Sequence, residues 1–248
     1  MTTWVFLRGL AREARHWGDF PARFRATCGG DILVPDLPGN GRLWTETSPT
    51  RVEDMAEACR RQLLEQGRVP PYHLLGLSMG GMVAVAWARD HPDECRGAVL
   101  INTSLRPHGR LHERLRPGAM VALLRMSAAG REERERAILE LTSARAAELR
   151  HVLPAWNEWA RECPVARGNA LRQLLAAARF SAPEKPAVPL LILAGARDRM
   201  VRPACSRRLA RAWNAGFALH PAAGHDLPLD DGDWVAKAVR NWLARGAA

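Results

Sequence analysis

Two kinds of apolar pattern divide the chain. Short continuous runs at Thr3 to Leu7, Ile32 to Val34, Tyr72 to Leu77, Ala98 to Ile101, Val188 to Leu193 and Phe217 to His220 have the length of buried strands and are too short to stand alone as helices. Between them the spacing becomes helical. Val52, Met55, Ala56, Cys59 and Leu63 share one helix face, with Thr50 and Glu53 in T-x-x-E capping-box register before them and a stop near Gly67. Met79 to Arg89 continues as helix until His91-Pro92, Pro203 suits a first helical turn, and Trp234, Val235, Ala238, Val239 and Trp242 line a closing helix. From Leu105 to about Lys185 the strand pattern vanishes, and helices are predicted near 117–129, 131–150, 154–162 and 168–179. Strands alternating with helices predict an α/β fold with a mostly parallel sheet of about six strands, each crossover being made by a helix.

Composition narrows this only slightly. A chain of 248 residues, 47% hydrophobic and 25% charged, suits one soluble domain with room for an insertion. No leader-like segment opens it and no run is long enough to span a membrane. The five cysteines are scattered, odd in number and without C-x-x-C spacing, which reads as reduced thiols in a cytoplasmic protein. The net charge of +10 comes almost wholly from arginines spread among acids, as in the REERER run at 131–136. That distribution predicts a solvated surface in preference to a nucleic-acid site, and leaves an acidic partner open. His108 and His112 sit in no metal-ligand pattern, so neither metal nor cofactor is expected.

The candidate chemistry lies between the third run and its helix. Gly76-Leu77-Ser78-Met79-Gly80 is a G-x-S-x-G pattern on a strand-to-helix turn, a nucleophile elbow that lifts a serine above the end of a sheet. With that context the chain resembles the α/β-hydrolase family along nearly its whole length. Its first strand starts without the antiparallel hairpin common there. The resemblance implies a core of residues 1–104 and 186–248, with a helical cap, 105–185, inserted after the strand that ends near Asn102. Asp198, in the loop after the fifth strand, takes the family's acid position, and His225, in Gly224-His225 after the last strand, takes the general base's. Ser78, Asp198 and His225 thus follow the chain order Ser, Asp, His.

The same resemblance makes Leu10 N–H and Met79 N–H the oxyanion hole. Arg8-Gly9 stands where relatives carry His-Gly, and Arg8 has two open roles, an ion-pair partner or a substrate contact. The D-L-P-G-N-G loop at 36–41 is expected to fix a turn. Arg8, Trp17, Met120, Trp156 and Trp159 are the candidate substrate-pocket residues, beside the alternative that the cap residues are cap core. The implied activity is a cofactor-free serine hydrolase acting on a small-molecule carboxylic ester or thioester through an acyl-enzyme. The D-L-P-G-N-G-R loop at 36–42 and the V-E-D-M-A-E-A segment at 52–58 are similar to pimeloyl-carrier-protein methyl ester esterases, which makes a carrier-protein methyl ester esterase the alternative activity and an acyl carrier protein a further candidate partner. The reading from another class is a non-catalytic ligand receptor or interaction module on a hydrolase scaffold. Oligomeric state is open.

Overall fold

The strand-length runs assemble into one six-stranded sheet, all of it parallel, in the order β2-β1-β3-β4-β5-β6. The structure is a computed structural model and describes residues 2–246. In chain order the elements are β1 (Thr3–Leu7), α1 (Phe20–Cys28), β2 (Asp31–Leu33), α2 (Val52–Glu65), β3 (Tyr72–Leu77), α3 (Met79–Asp90) and β4 (Cys95–Ile101). There follow α4 (Leu111–Arg114), α5 (Pro117–Ala128), α6 (Arg131–Thr142), α7 (Leu153–Glu162) and α8 (Arg167–Arg179), then β5 (Leu190–Gly195), α9 (Pro203–Ala212), β6 (Gly216–His220) and α10 (Leu227–Leu243), which is kinked at Asp231.

Strands buried on both faces need apolar residues at nearly every position, which is why β3, β4 and β5 read as continuous runs and not as alternations. Alternate side chains feed two cores. Val5, Leu7, Leu74, Leu100 and Ile192 meet α2, α3 and α9 on one face. Trp4, Phe6, Leu75, Val99 and Leu193 meet α1 and α10 on the other, where Phe20, Phe24, Val235 and Trp242 complete the layer.

Two local expectations are corrected. The T50-x-x-E53 box does not form: Arg51 is the N-cap of α2, without a side-chain cap bond. The helix expected over 131–150 stops at Thr142, where Ser143 turns extended because its hydroxyl and the next amide are captured by Asp230.

Register decides where the chemistry gathers. Leu7 pairs with Gly76, Leu77 with Ile101, Ile101 with Leu193, and Gly195 with His220. The residues just beyond these positions, 8–10, 78–79, 102–103, 196–198 and 223–226, therefore leave the sheet along one edge. The five helices between β4 and β5 form an insert that touches the loops of that edge, as described below.

Candidate active site

Ser78 sits at φ 58°, ψ −117°, a conformation disfavoured for any residue with a Cβ and costing on the order of 1–3 kcal/mol. The fold holds it there. Its N–H donates to Ile101 O at 2.8 Å, and its carbonyl accepts from Gly81 N at 3.0 Å and Thr103 Oγ1 at 3.2 Å. The flanking glycines are obligatory by contact, since a Cβ on Gly76 would overlap Gly80 O and one on Gly80 would overlap Leu7 O. Ser78 is half-buried between the fully buried Leu77 and Met79, and its hydroxyl makes no hydrogen bond among the described residues.

His225 and Asp198 form a buried pair. His225 Nδ1–H donates to Asp198 Oδ2 at 2.7 Å, while Asp198 Oδ1 accepts from the amides of Met200 (2.7 Å) and Val201 (2.9 Å). These donors fix the carboxylate's orientation and leave His225 Nε2 without a protein partner among the described residues. Burial works against the charged imidazole, but the Asp198 carboxylate outweighs it and raises the His225 pKa; Asp226 adds to the rise and Arg8 opposes it.

The side chain that ties these pieces together is Asn102, at φ 49° after β4. Its amide nitrogen donates to Gly224 O (3.0 Å) and His225 O (2.7 Å), and its Oδ1 accepts from Gly195 N at 2.9 Å. Asn102 holds the His225 loop and Thr103 holds Ser78, so two consecutive residues after β4 fasten both the elbow and the loop that carries His225. In the sequence Asn102 appeared only as the end of a strand. A buried asparagine with its amide saturated was the available signal, and burial is not visible in a lone sequence.

Gly9 lies against the elbow, where a Cβ would be 3.2 Å from Leu77 O and 3.3 Å from Ser78 Cβ, so Leu10 follows directly beside it. Leu10 N–H and Met79 N–H, the latter at the open N-terminus of α3, donate to no protein acceptor among the described residues. The turn after Leu10 is braced from the insert: Ala11 N donates to Gln173 Oε1 at 2.8 Å, and Gln173 Nε2 donates to Asn40 and Ser48.

Arg8 pairs with Asp226, next to His225, through Nη2 to Oδ2 at 2.7 Å and Nη1 to Oδ1 at 3.4 Å. Both side chains are buried, and the guanidinium lies 4.7 Å over the Trp17 ring. Trp17 itself is buried against Phe6 and Phe20. Trp156 and Trp159 build a seam between the insert and the loop after β1: Arg12 stacks on Trp156 at 4.3 Å and bonds Glu135 at 2.6 Å, and His16 packs edge-on against both tryptophans. Burial, then Arg12 and Arg8, holds the His16 pKa well below its ordinary value. Met120 is 40% exposed on α5. Among the described residues no group of three His, Cys, Asp or Glu is placed to hold a metal ion, and no helix is long and apolar enough to cross a membrane.

An all-parallel sheet carrying a strained serine elbow and an Asp–His pair on one edge defines an α/β hydrolase. Residues 4–238 match the model of the alpha/beta hydrolase family, and the chain belongs to that family. The fold is similar to that of a putative non-heme bromoperoxidase, BpoC, from Mycobacterium tuberculosis H37Rv, with a TM-score of 0.77 and 23% identity, covering 100% of this chain and 94% of that one. It is also similar to an enol-lactonase from Burkholderia xenovorans LB400, with a TM-score of 0.80 and 20% identity over 98% of this chain and 91% of that one. A homoserine O-acetyltransferase from Halorubrum lacusprofundi is 36% identical over 74 residues, 30% of this chain and 17% of that protein's length.

Proposed function

We propose that this protein is a serine hydrolase that cleaves a carboxylic ester or thioester through an acyl-enzyme on Ser78. The buried Asp198–His225 hydrogen bond, with Nε2 free among the described residues and the His225 loop tied through Asn102–Thr103 to the Ser78 elbow, is the observation that carries this reading. Ser78 Oγ attacks the substrate carbonyl carbon as its proton passes to His225 Nε2, and Asp198 stabilises the resulting imidazolium. The negative charge that develops on the carbonyl oxygen meets the N–H groups of Leu10 and Met79; losing one such donor typically costs about a hundredfold or more in turnover. Collapse expels the alcohol or thiol, which takes the proton from His225. Water then attacks the acyl-enzyme with His225 as base, and the carboxylic acid leaves. The insert serves as the cap that shapes the acyl site. An enol-lactonase and an O-acetyltransferase, among the similar proteins, are named for ester and acyl-transfer chemistry, which supports the same class.

The test is labelling by a fluorophosphonate probe, followed by hydrolysis of a p-nitrophenyl ester chain-length series. The parent chain is expected to label and to turn over, and Ser78→Ala to do neither. A parent that stays unlabelled while a known serine hydrolase reacts overturns the proposal.

A further inference from the structure

Two peptide planes of the His225 loop, one a residue before it and one directly after it, are each held from two directions. In the Ala223–Gly224 plane, the carbonyl accepts from Arg197 N at 2.9 Å and the amide donates to Asp230 Oδ2 at 2.6 Å. In the His225–Asp226 plane, the carbonyl accepts from Asn102 Nδ2 at 2.7 Å and the amide donates to Thr142 O at 2.9 Å. The core thus holds the carbonyl ends, while the amide ends depend on the insert turn after α6 and on Asp230.

Asp230 joins that turn to the loop. Its Oδ1 accepts from Ser143 Oγ, its Oδ2 accepts from Ala144 N at 3.0 Å as well as from Gly224 N, and its main-chain oxygen accepts from Arg145 Nη1 at 2.9 Å. The carboxylate is almost fully buried and is satisfied by uncharged donors from two segments about eighty residues apart in sequence. Such a carboxylate is costly to bury, and a neutral side chain could fill the space at less cost if only packing were required. The approach is close: a Cβ on Gly224 would lie 2.7 Å from Thr142 O and 2.8 Å from Ala144 N.

We propose that Asp230 is a positioning residue that makes the alignment of His225 depend on docking of the insert turn at Thr142–Arg145. This rests on the serine-hydrolase reading above. With the turn released, the His225–Asp226 plane loses its amide-side restraint and the carboxylate that holds Gly224 N loses its other donors, so His225 shifts out of register; a misplacement of about 1 Å can cost on the order of a hundredfold in rate.

The experiment measures kcat and KM on a p-nitrophenyl ester, with thermal melting, for the full chain and for Asp230→Asn, Ser143→Ala, Ser143→Thr, Gly224→Ala and Glu148→Ala. Asp230→Asn is expected to lower kcat between about tenfold and a hundredfold with KM within about twofold. Ser143→Ala loses less, Ser143→Thr regains activity by keeping the hydroxyl, and Gly224→Ala, which wedges turn from loop, behaves like Asp230→Asn. Glu148→Ala, which removes only an exposed contact to Arg145, leaves kcat unchanged. If Asp230→Asn does not fold, Ser143→Ala and Gly224→Ala carry the test. Folded variants with unchanged kcat, or with raised KM at unchanged kcat, overturn the inference while leaving Ser78 as nucleophile. A parent chain that neither labels nor hydrolyses overturns the hydrolase reading itself, and this inference with it.

Discussion

Asn102 and His225 are joined by a 2.7 Å hydrogen bond from the amide of one to the main-chain carbonyl of the other, across 123 positions of sequence. The same amide group accepts from Gly195 at the end of β5, so one side chain links the strand that leads to Asp198 with the loop that carries His225. Asn102→Ala leaves one buried amide and two buried carbonyls without partners. It is expected to lower kcat about tenfold or more and to destabilise the fold by about 2–3 kcal/mol, read from ester kinetics and urea denaturation. Unchanged kcat in a folded variant would show that the loop holds its shape without this bridge.

The Arg8–Asp226 pair is buried on both sides, so removing one partner strands the other charge. Arg8→Met and Asp226→Leu are each expected to cost about 3–5 kcal/mol, whereas the two combined recover most of the loss. Chemical denaturation of the three variants checks this; additive losses in the double variant would contradict it.

The pH profile follows from the groups that face His225, namely Asp198, Asp226 and Arg8. A base must be neutral to accept a proton, so the acid limb of kcat/KM is expected above the ordinary histidine value of 6.5, activity rising with pH through it. Asp226→Asn removes a charge that favours the imidazolium and moves the limb to lower pH. In stability the sign is opposite: the raised pKa contributes fully below 6.5, and that contribution is lost as pH rises through the folded-state value. An acid limb below 6.5 in the parent chain would contradict the assignment.

His73 stacks on Trp4 at 4.7 Å in the central strand β3, with both ring nitrogens buried and without a hydrogen-bond partner among the described residues. Burial, with a smaller push from Arg96, lowers its pKa to about 4. The folded state therefore keeps it neutral while the unfolded chain protonates it, so stability falls as pH drops from 6.5 towards 4, by at most about 3 kcal/mol. His73→Phe keeps the stacking, removes the unpaired nitrogens and is expected to stabilise the fold by about 1 kcal/mol with a flatter acid limb in denaturation.

The strands were legible because a parallel sheet buried on both faces leaves unbroken apolar runs, and β1 and β3 fall where those runs predicted them. The elbow was legible because two contacts demand glycine at Gly76 and Gly80. Local signals failed where a distant side chain decides the outcome. Nothing near Ser143 announces that Asp230 will end α6, and nothing near Thr50 announces that Arg51 will take the N-cap of α2. Asn102, Gln173 and Asp230 escape a reading of the sequence for one shared reason: apart from Gly224, six positions from Asp230, their side-chain partners lie 86 to 162 positions away, and a polar residue's burial is a property of the assembled fold. The two tryptophans of the insert were visible as apolar positions, but their stacking on Arg12 and His16 depends on how the insert meets the loop after β1.

The insert is fastened to the core at widely separated points: Gln173 to Ala11, Asn169 to Ser48, Glu135 to Arg12, the turn after α6 to Asp230, and Arg116 to Asp198 O. A swing of all five helices as one lid would have to break every one of these, including those that steady the imidazole. Along α5 the picture differs: Met120, Val121 and Leu124 face outward, and the bond to the core lies at its N-terminal end, through Arg116. New residues along that outward face touch none of these fastenings, so the surface of the insert is free to vary while the Asp198–His225 bond stays in register.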